Sequence, residues 1–258
     1  MASLRASFSP FVHPFYPPLS TPKRMTEEQR LLNFIEEVSK PFHDDPELKH
    51  RMWEFLLNRK EAGELPQAKF FLRNLAKLRS IRYEDGSSIW KVGRLFRNTE
   101  LAIKKGQNPS GFYFEAITAL ELIYAGFKVT RISKRRTFEN GNIERLQGND
   151  GINREVDIAA EKIIDGKKIK FHIEVKSSVD GLMKAFYETK ELKALMDVAK
   201  SHNVQQIVIL KDREPILTED GELFRYEYIS LTSKEKKKIA RCKNAFPDLS
   251  ILTLSENK

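Results

Sequence analysis

The chain has 258 residues, 40% hydrophobic and 31% charged, which excludes a disordered or fibrous polymer and leaves room for one large domain or two small ones. Lysine and arginine number 45 against 36 aspartates and glutamates, and the resulting formal charge of +9 favours polyanionic partners, nucleic acid first among them. A single cysteine, Cys242, excludes an internal disulfide and a multi-cysteine zinc site; no run approaches the ~18 apolar residues of a membrane span, so a cytoplasmic location is expected.

Residues 1–25 contain no acidic residue and carry Pro10, Pro14, Pro17, Pro18 and Pro22, which predicts an extended or disordered tail. An acid-free start with Arg5 and several serines also has the composition of a transit peptide; the plain tail is the reading taken. From Thr26 the texture changes. Thr26 and Gln29 make a capping box before Leu31, Phe34, Ile35 and Val38 at helical spacing. Asp45-Pro46 opens a second helix with Met52, Phe55 and Leu56 apolar. Pro66 opens a third, with Phe71, Leu75 and Leu78 on one face. Beside that face Lys69, Arg73 and Lys77 recur every four residues as a basic stripe. A hairpin is predicted over 81–92, around the turn 84–88. Three helices and a hairpin are the order of a winged helix, in which the stripe would meet nucleic-acid phosphates. A small helical domain with a solvated basic face is the alternative. Residues 26–105 are therefore taken as an N-terminal helical domain.

A linker at 104–108 leads into a second domain, 106–258. Asn108 and Pro109 suit the start of a helix running to about Ala125. A strand over 127–133 and a polar loop to Arg154 follow. Two strands, 155–164 and 168–177, flank Asp165-Gly166, a dipeptide suited to a tight hairpin turn. Asp180 is read as the cap of one long helix, Asn203 as its stop, and 205–210 as a short apolar strand. A strand over 223–231, a basic helix over 233–243 and a last strand over 249–254 complete the order. The expected class is α/β (α+β), with an αβββαβ core on a mixed central sheet.

Within the second hairpin strand, Phe171-His172-Ile173-Glu174-Val175-Lys176 alternates, so Glu174 and Lys176 share one face while Phe171, Ile173 and Val175 share the other. Burying such charges is costly unless they pair or bind an ion. The preceding strand carries Asp157 between Val156 and Ile158. If the hairpin register brings it near Glu174, two carboxylates and a lysine converge. Carboxylate oxygens suit Mg²⁺, with phosphate oxygens and waters completing its shell. Lys176 beside two carboxylates is expected to keep its charge, so it suits orienting a water better than acting as a base.

Asp157, the sixteen residues that separate it from Glu174, and Lys176 two residues later, in this order of elements, resemble the PD-(D/E)XK nuclease superfamily over roughly residues 108–211. That superfamily includes restriction endonucleases and archaeal Holliday junction resolvases. The resemblance implies a metal-dependent endonuclease with Asp157 and Glu174 as Mg²⁺ ligands (Mn²⁺ able to substitute) and Lys176 as the catalytic lysine. It further implies an acid from the first core helix, for which Glu115 is chosen over Glu121. DNA is the expected substrate and a homodimer the expected assembly. An RNA-cleaving toxin with an immunity protein as partner, or a non-catalytic DNA-binding protein, are the alternatives. The chain departs from the RecB-like branch, because 185–189 lacks a Gln-plus-Tyr pattern. Asp150 and Glu155 are read as turn or surface residues. His172 shares the face of Glu174 and is read as structural, and the other histidines lack metal spacing. The basic runs that contain Arg135 and Arg136, and 234–238, are candidates for flanking phosphates or for plain solvation.

Overall fold

A computed structural model of the chain describes residues 25–253 apart from 44, 135, 138–142, 145, 148–152, 155, 190 and 202, with backbone alone for those between 133 and 154 and for 201. Four helices come first: α1 (Glu27–Ser39), α2 (Pro46–Glu61), α3 (Leu65–Ser80) and α4 (Val92–Lys104). Their starts follow from local chemistry. Thr26 Oγ1 accepts from the Gln29 amide at 3.2 Å, and Asp45 Oδ1 accepts from the Glu47 amide at 3.0 Å. Pro66 lies in the first turn of α3, where its missing N–H costs nothing.

The hairpin expected over 81–92 is reduced to one bridge, Arg82 to Ser88; the second arm goes elsewhere, with Trp90 bridging in parallel to Arg131. Trp90 N donates to Thr130 O at 3.1 Å, and Ile132 N returns to Trp90 O at 3.3 Å. This arm is therefore tied to the edge of the main sheet and not folded back as a wing. The helix that follows it, α4, is not among the elements expected from the sequence.

α5 (Ser110–Tyr124) is apolar almost all round, and it is buried accordingly. Five strands form the main sheet in the order β1-β6-β7-β8-β11: β1 (Lys128–Lys134), β6 (Val156–Ile164), β7 (Lys167–Lys176), β8 (Gln205–Leu210) and β11 (Ser250–Thr253). Between β1 and β6, short strands β2 (Arg136–Thr137) and β3 (Ile143–Glu144) pair together, as do β4 (Leu146–Gln147) and β5 (Asn153–Arg154). The first three sheet strands run antiparallel, and β8 and β11 join in parallel, so the sheet is mixed with β7 at its centre. Asp165 and Gly166 take φ of 50° and 72°, which the two-residue turn requires, and they set the register Ile164 to Lys167 through Ile158 to Ile173.

The long helix expected after β7 is broken. Ser178, not Asp180, caps α6 (Val179–Met183), its Oγ accepting from Gly181 N at 3.0 Å. A wide π-type turn over Lys184–Glu188 follows, and α7 (Glu191–Ser201) starts afresh. After β8, the strands β9 (Arg213–Leu217) and β10 (Leu223–Tyr228) form a separate ribbon, and α8 (Ser233–Ala245) precedes β11.

Helices cover both faces of the sheet. One apolar cluster joins Leu31, Phe55, Leu75 and Phe96 of α1–α4 to α5 and to Ile158, Ile173, Ile207 and Ile209. Ring contacts stitch these helices together, Phe55 on Phe96 at 5.5 Å and Phe71 on Tyr113 at 4.7 Å between centroids. Packing is thus continuous across residue 105. The second cluster, with Val179, Leu182, Leu192, Val208, Leu210 and Cys242, places α6, α7 and α8 on the opposite face. No helix among the described residues is long and apolar enough to cross a membrane.

Candidate functional site

β7 is buried on both faces near its end, the pattern of a central strand. Its Ile173 belongs to the apolar cluster under α5, so alternation sends Glu174 and Lys176 to the side covered by α6 and α7. Glu174 is 3% exposed. Its Oε1 accepts from Lys176 Nζ at 2.6 Å, while Oε2 is buried without a hydrogen-bond partner. A buried carboxylate oxygen left in that state costs free energy, so the arrangement is intelligible if the oxygen has a ligand to bind.

Asp157 reaches the same place by a local departure from regular pairing. The β6–β7 ladder ends at Ile158 and Ile173, and the next register position would set Asp157 opposite Glu174. Asp157 Oδ2 instead accepts from Val175 N at 2.8 Å, so its side chain replaces a backbone acceptor where the two strands part.

Sequence alone does not single out Glu191. It stands in the first turn of α7, and its Oε2 lies 3.3 Å from Lys176 Nζ. The lysine is thus held between two carboxylates, Glu174 from its own strand and Glu191 from the facing helix. The helix break makes this possible: Glu191 N donates to Thr189 Oγ1 at 3.4 Å as α7 restarts over the strand end. An acid is also favoured in a first turn by the helix dipole.

Burial, and next the nearby Asp157 carboxylate, push the Glu174 carboxyl well above the ordinary carboxylate range against the pull of Lys176. Burial works against the Lys176 ammonium, but Glu174, Glu191 and Asp157 outweigh it and hold the group above its usual range. Lys176 is therefore a fixed cation. The donor types suit a hard dication: two neighbouring carboxylates, one of them with a buried oxygen that has no hydrogen-bond partner. Mg²⁺ ordinarily takes one or two carboxylates and fills its octahedron with waters and phosphate oxygens.

Glu115 is buried on α5, in the layer across the sheet from α6 and α7. Among the described residues no group of three or more His, Cys, Asp or Glu side chains is set to hold one ion. Glu121, the competitor of Glu115, is accounted for by Arg213, 3.1 Å away. His172 is buried on the face of Glu174, directly across from Gln206 of β8, whose Oε1 is a second buried oxygen without a hydrogen-bond partner. Asp150 and Glu155 lie outside the described residues, as do Arg135 and the tail 1–24. Arg136 falls in β2.

The α3 stripe is not an open row of cations. Lys69 is 9% exposed and pairs with Asp220 at 3.5 Å. Arg73 donates to Asp220 O at 2.6 Å, and only Lys77 is exposed. The cause is the turn between β9 and β10, which rests on α3. A Cβ added at Gly221 would come within 2.6 Å of Lys69 Cβ and of Pro66 O. Two of the three cations fasten this turn down.

No family model matches the chain, and neither does any curated protein or solved structure.

Proposed function

We propose that the chain is a metal-dependent endonuclease of the PD-(D/E)XK kind that hydrolyses phosphodiester bonds in DNA. The observation that carries the reading is the buried Glu174, one oxygen on Lys176 and the other unpartnered, beside Asp157 at the point where β6 and β7 part. The order α5-β1-β6-β7-α6/α7-β8, with strands adjacent as β1-β6-β7-β8, supports it. So does the formal charge of +9.

Asp157 and Glu174 would hold Mg²⁺, with Mn²⁺ as a substitute. When bound, the ion supplies an acidified water and neutralises charge on the phosphoryl oxygens. The protein's own residues do the rest. The hydrogen bond from Val175 N fixes the Asp157 carboxylate, so its other oxygen has a defined direction. Lys176, kept charged by three carboxylates, has one N–H left beyond its bonds to Glu174 and Glu191, and donates it to the attacking water or to the phosphoryl oxygen that gains charge. It does not accept the proton. Glu191 restrains the ammonium from the helix side, so that its orientation is set before substrate arrives.

Incubation with supercoiled plasmid, linear duplex and total tRNA, in Mg²⁺ or in EDTA, tests this. Cleavage of both DNA forms in Mg²⁺, none in EDTA and none with an Asp157→Ala plus Lys176→Ala variant is the expected result. Cleavage that survives EDTA or the double substitution overturns the site. Cleavage of tRNA alone moves the substrate to RNA.

A further inference from the structure

α8 and the surface it builds lie outside the α5-to-β8 unit on which the proposed function rests. Its sequence, SKEKKKIARCKNA, carries six cations and one acid. The acid is engaged at the helix start, where Glu235 Oε2 accepts from Thr232 N at 2.8 Å in a capping box. Of the cations, Lys238 anchors the helix, its Nζ 2.6 Å from Asp180 Oδ1 at the start of α6. Lys234, Lys236, Lys237, Arg241 and Lys243 are exposed. The apolar side of the helix is already used, with Cys242 buried and Ile239 packed in the cluster of Leu182 and Val208.

This is the reverse of α3. There the basic residues hold another part of the same chain; here they face outward, and their own acid is turned to capping. A solvated charge run needs no particular place in a fold. This one is pinned beside the candidate site: Asp180 follows Lys176 by four residues, so at most about 15 Å of chain separates the anchor from the site lysine. Duplex DNA carries one charge per about 1.7 Å of axis, so that distance spans about nine phosphates.

Resting on the nuclease reading above, we infer that the exposed face of α8 is the surface that docks the phosphate backbone of the nucleic acid being cut. Lys234, Lys236, Lys237 and Arg241 supply the cations, and Cys242 and Ile239, packed against the sheet, hold the helix in place for them. A membrane surface is the weaker occupant, because the apolar face that would enter lipid is buried against the sheet.

The test is binding of a labelled 20-base-pair duplex in EDTA, where no cleavage intervenes, over a range of salt. The full chain is compared with a Lys234→Gln, Lys236→Gln, Lys237→Gln, Arg241→Gln variant, Gln being almost as good a helix former as Lys or Arg. A control removes four exposed lysines elsewhere: Lys104, Lys105, Lys167 and Lys170. With three or four phosphates no longer neutralised, affinity should fall about a hundredfold at ~0.15 M salt and the salt slope should drop by about three. The control should change far less, and circular dichroism should match for all three proteins. Equal losses in variant and control, or no loss in the variant, overturn the assignment. So does absence of duplex binding, or α8-dependent binding to anionic phosphatidylserine vesicles alone. A duplex bound through α8 but never cut in Mg²⁺ leaves the docking surface standing and removes the nuclease reading.

Discussion

The two faces of the central sheet come from the same strands, yet they are built on opposite terms. Under α5, Ile158, Ile173, Ile207 and Ile209 make a face with no polar side chain among them, and each is almost wholly removed from water. On the other face Asp157, His172, Glu174, Lys176 and Gln206 stand among the alternate positions of the same three strands, beside Val208 and Leu210 of the second apolar cluster. Glu174 and Gln206 there hold buried oxygens without hydrogen-bond partners. A chain selected only for stability would fill both faces alike. The strand positions under α5 serve packing alone, while those on the second face give part of their apolar packing over to ionisable and polar groups.

Four substitutions test that contrast, from the largest expected effect to the smallest. Lys176→Met should lower the cleavage rate by about a thousandfold, equivalent to about 4 kcal/mol of transition-state stabilisation, while melting changes little at pH 5, where the raised Glu174 carboxyl it leaves unpaired is neutral. On the apolar face, Ile173→Ala should cost about 2–5 kcal/mol and lower Tm by about 10 °C, with the rate of the folded fraction retained. Comparable melting losses from both would erase the difference between the faces. Glu191→Gln removes one of the carboxylates that hold Lys176, and a loss of about tenfold in kcat with KM unchanged is expected; a KM effect alone would make Glu191 a binding residue. Glu174→Gln is expected to raise Tm by a few degrees in EDTA. The sign follows from the raised carboxyl: the folded state disfavours its ionisation, so stability is lost as pH climbs above the ordinary carboxylate range. The gain from Gln should therefore be present at pH 8 and close as pH falls toward 4. A drop in Tm at pH 8 would mean that the ion pair to Lys176 outweighs burial.

Much of the fold and of the site is legible in the sequence, and the reasons are local. Asp165-Gly166 announces its hairpin because few dipeptides tolerate positive φ twice over, and from that turn the register runs back to Ile158 and Ile173 by counting. Alternation then separates Glu174 and Lys176 from Phe171 and Ile173. What the sequence hides depends on residues that meet only in the folded chain. Trp90 pairs with Arg131 and not with its own neighbours, so the wing dissolves and α4 appears beyond it. The α3 stripe keeps perfect spacing in sequence, yet Asp220, far along the chain, takes up Lys69 and Arg73. Glu191 is hidden for another reason: apolar periodicity over 182–199 reads as one helix, and a π-type turn leaves no mark in composition.

The central claim is that Asp157 and Glu174 hold a divalent cation, and Mg²⁺-dependent thermal stability at pH 8 tests it without reference to any substrate. Wild-type Tm should rise saturably with Mg²⁺; at about a hundred times Kd the stabilisation is ~2.7 kcal/mol, or roughly 5–10 °C for a domain of this size. The Asp157→Asn plus Glu174→Gln variant should melt at the same temperature with and without the ion. An unshifted wild type, or an equal shift in the variant, would contradict the account.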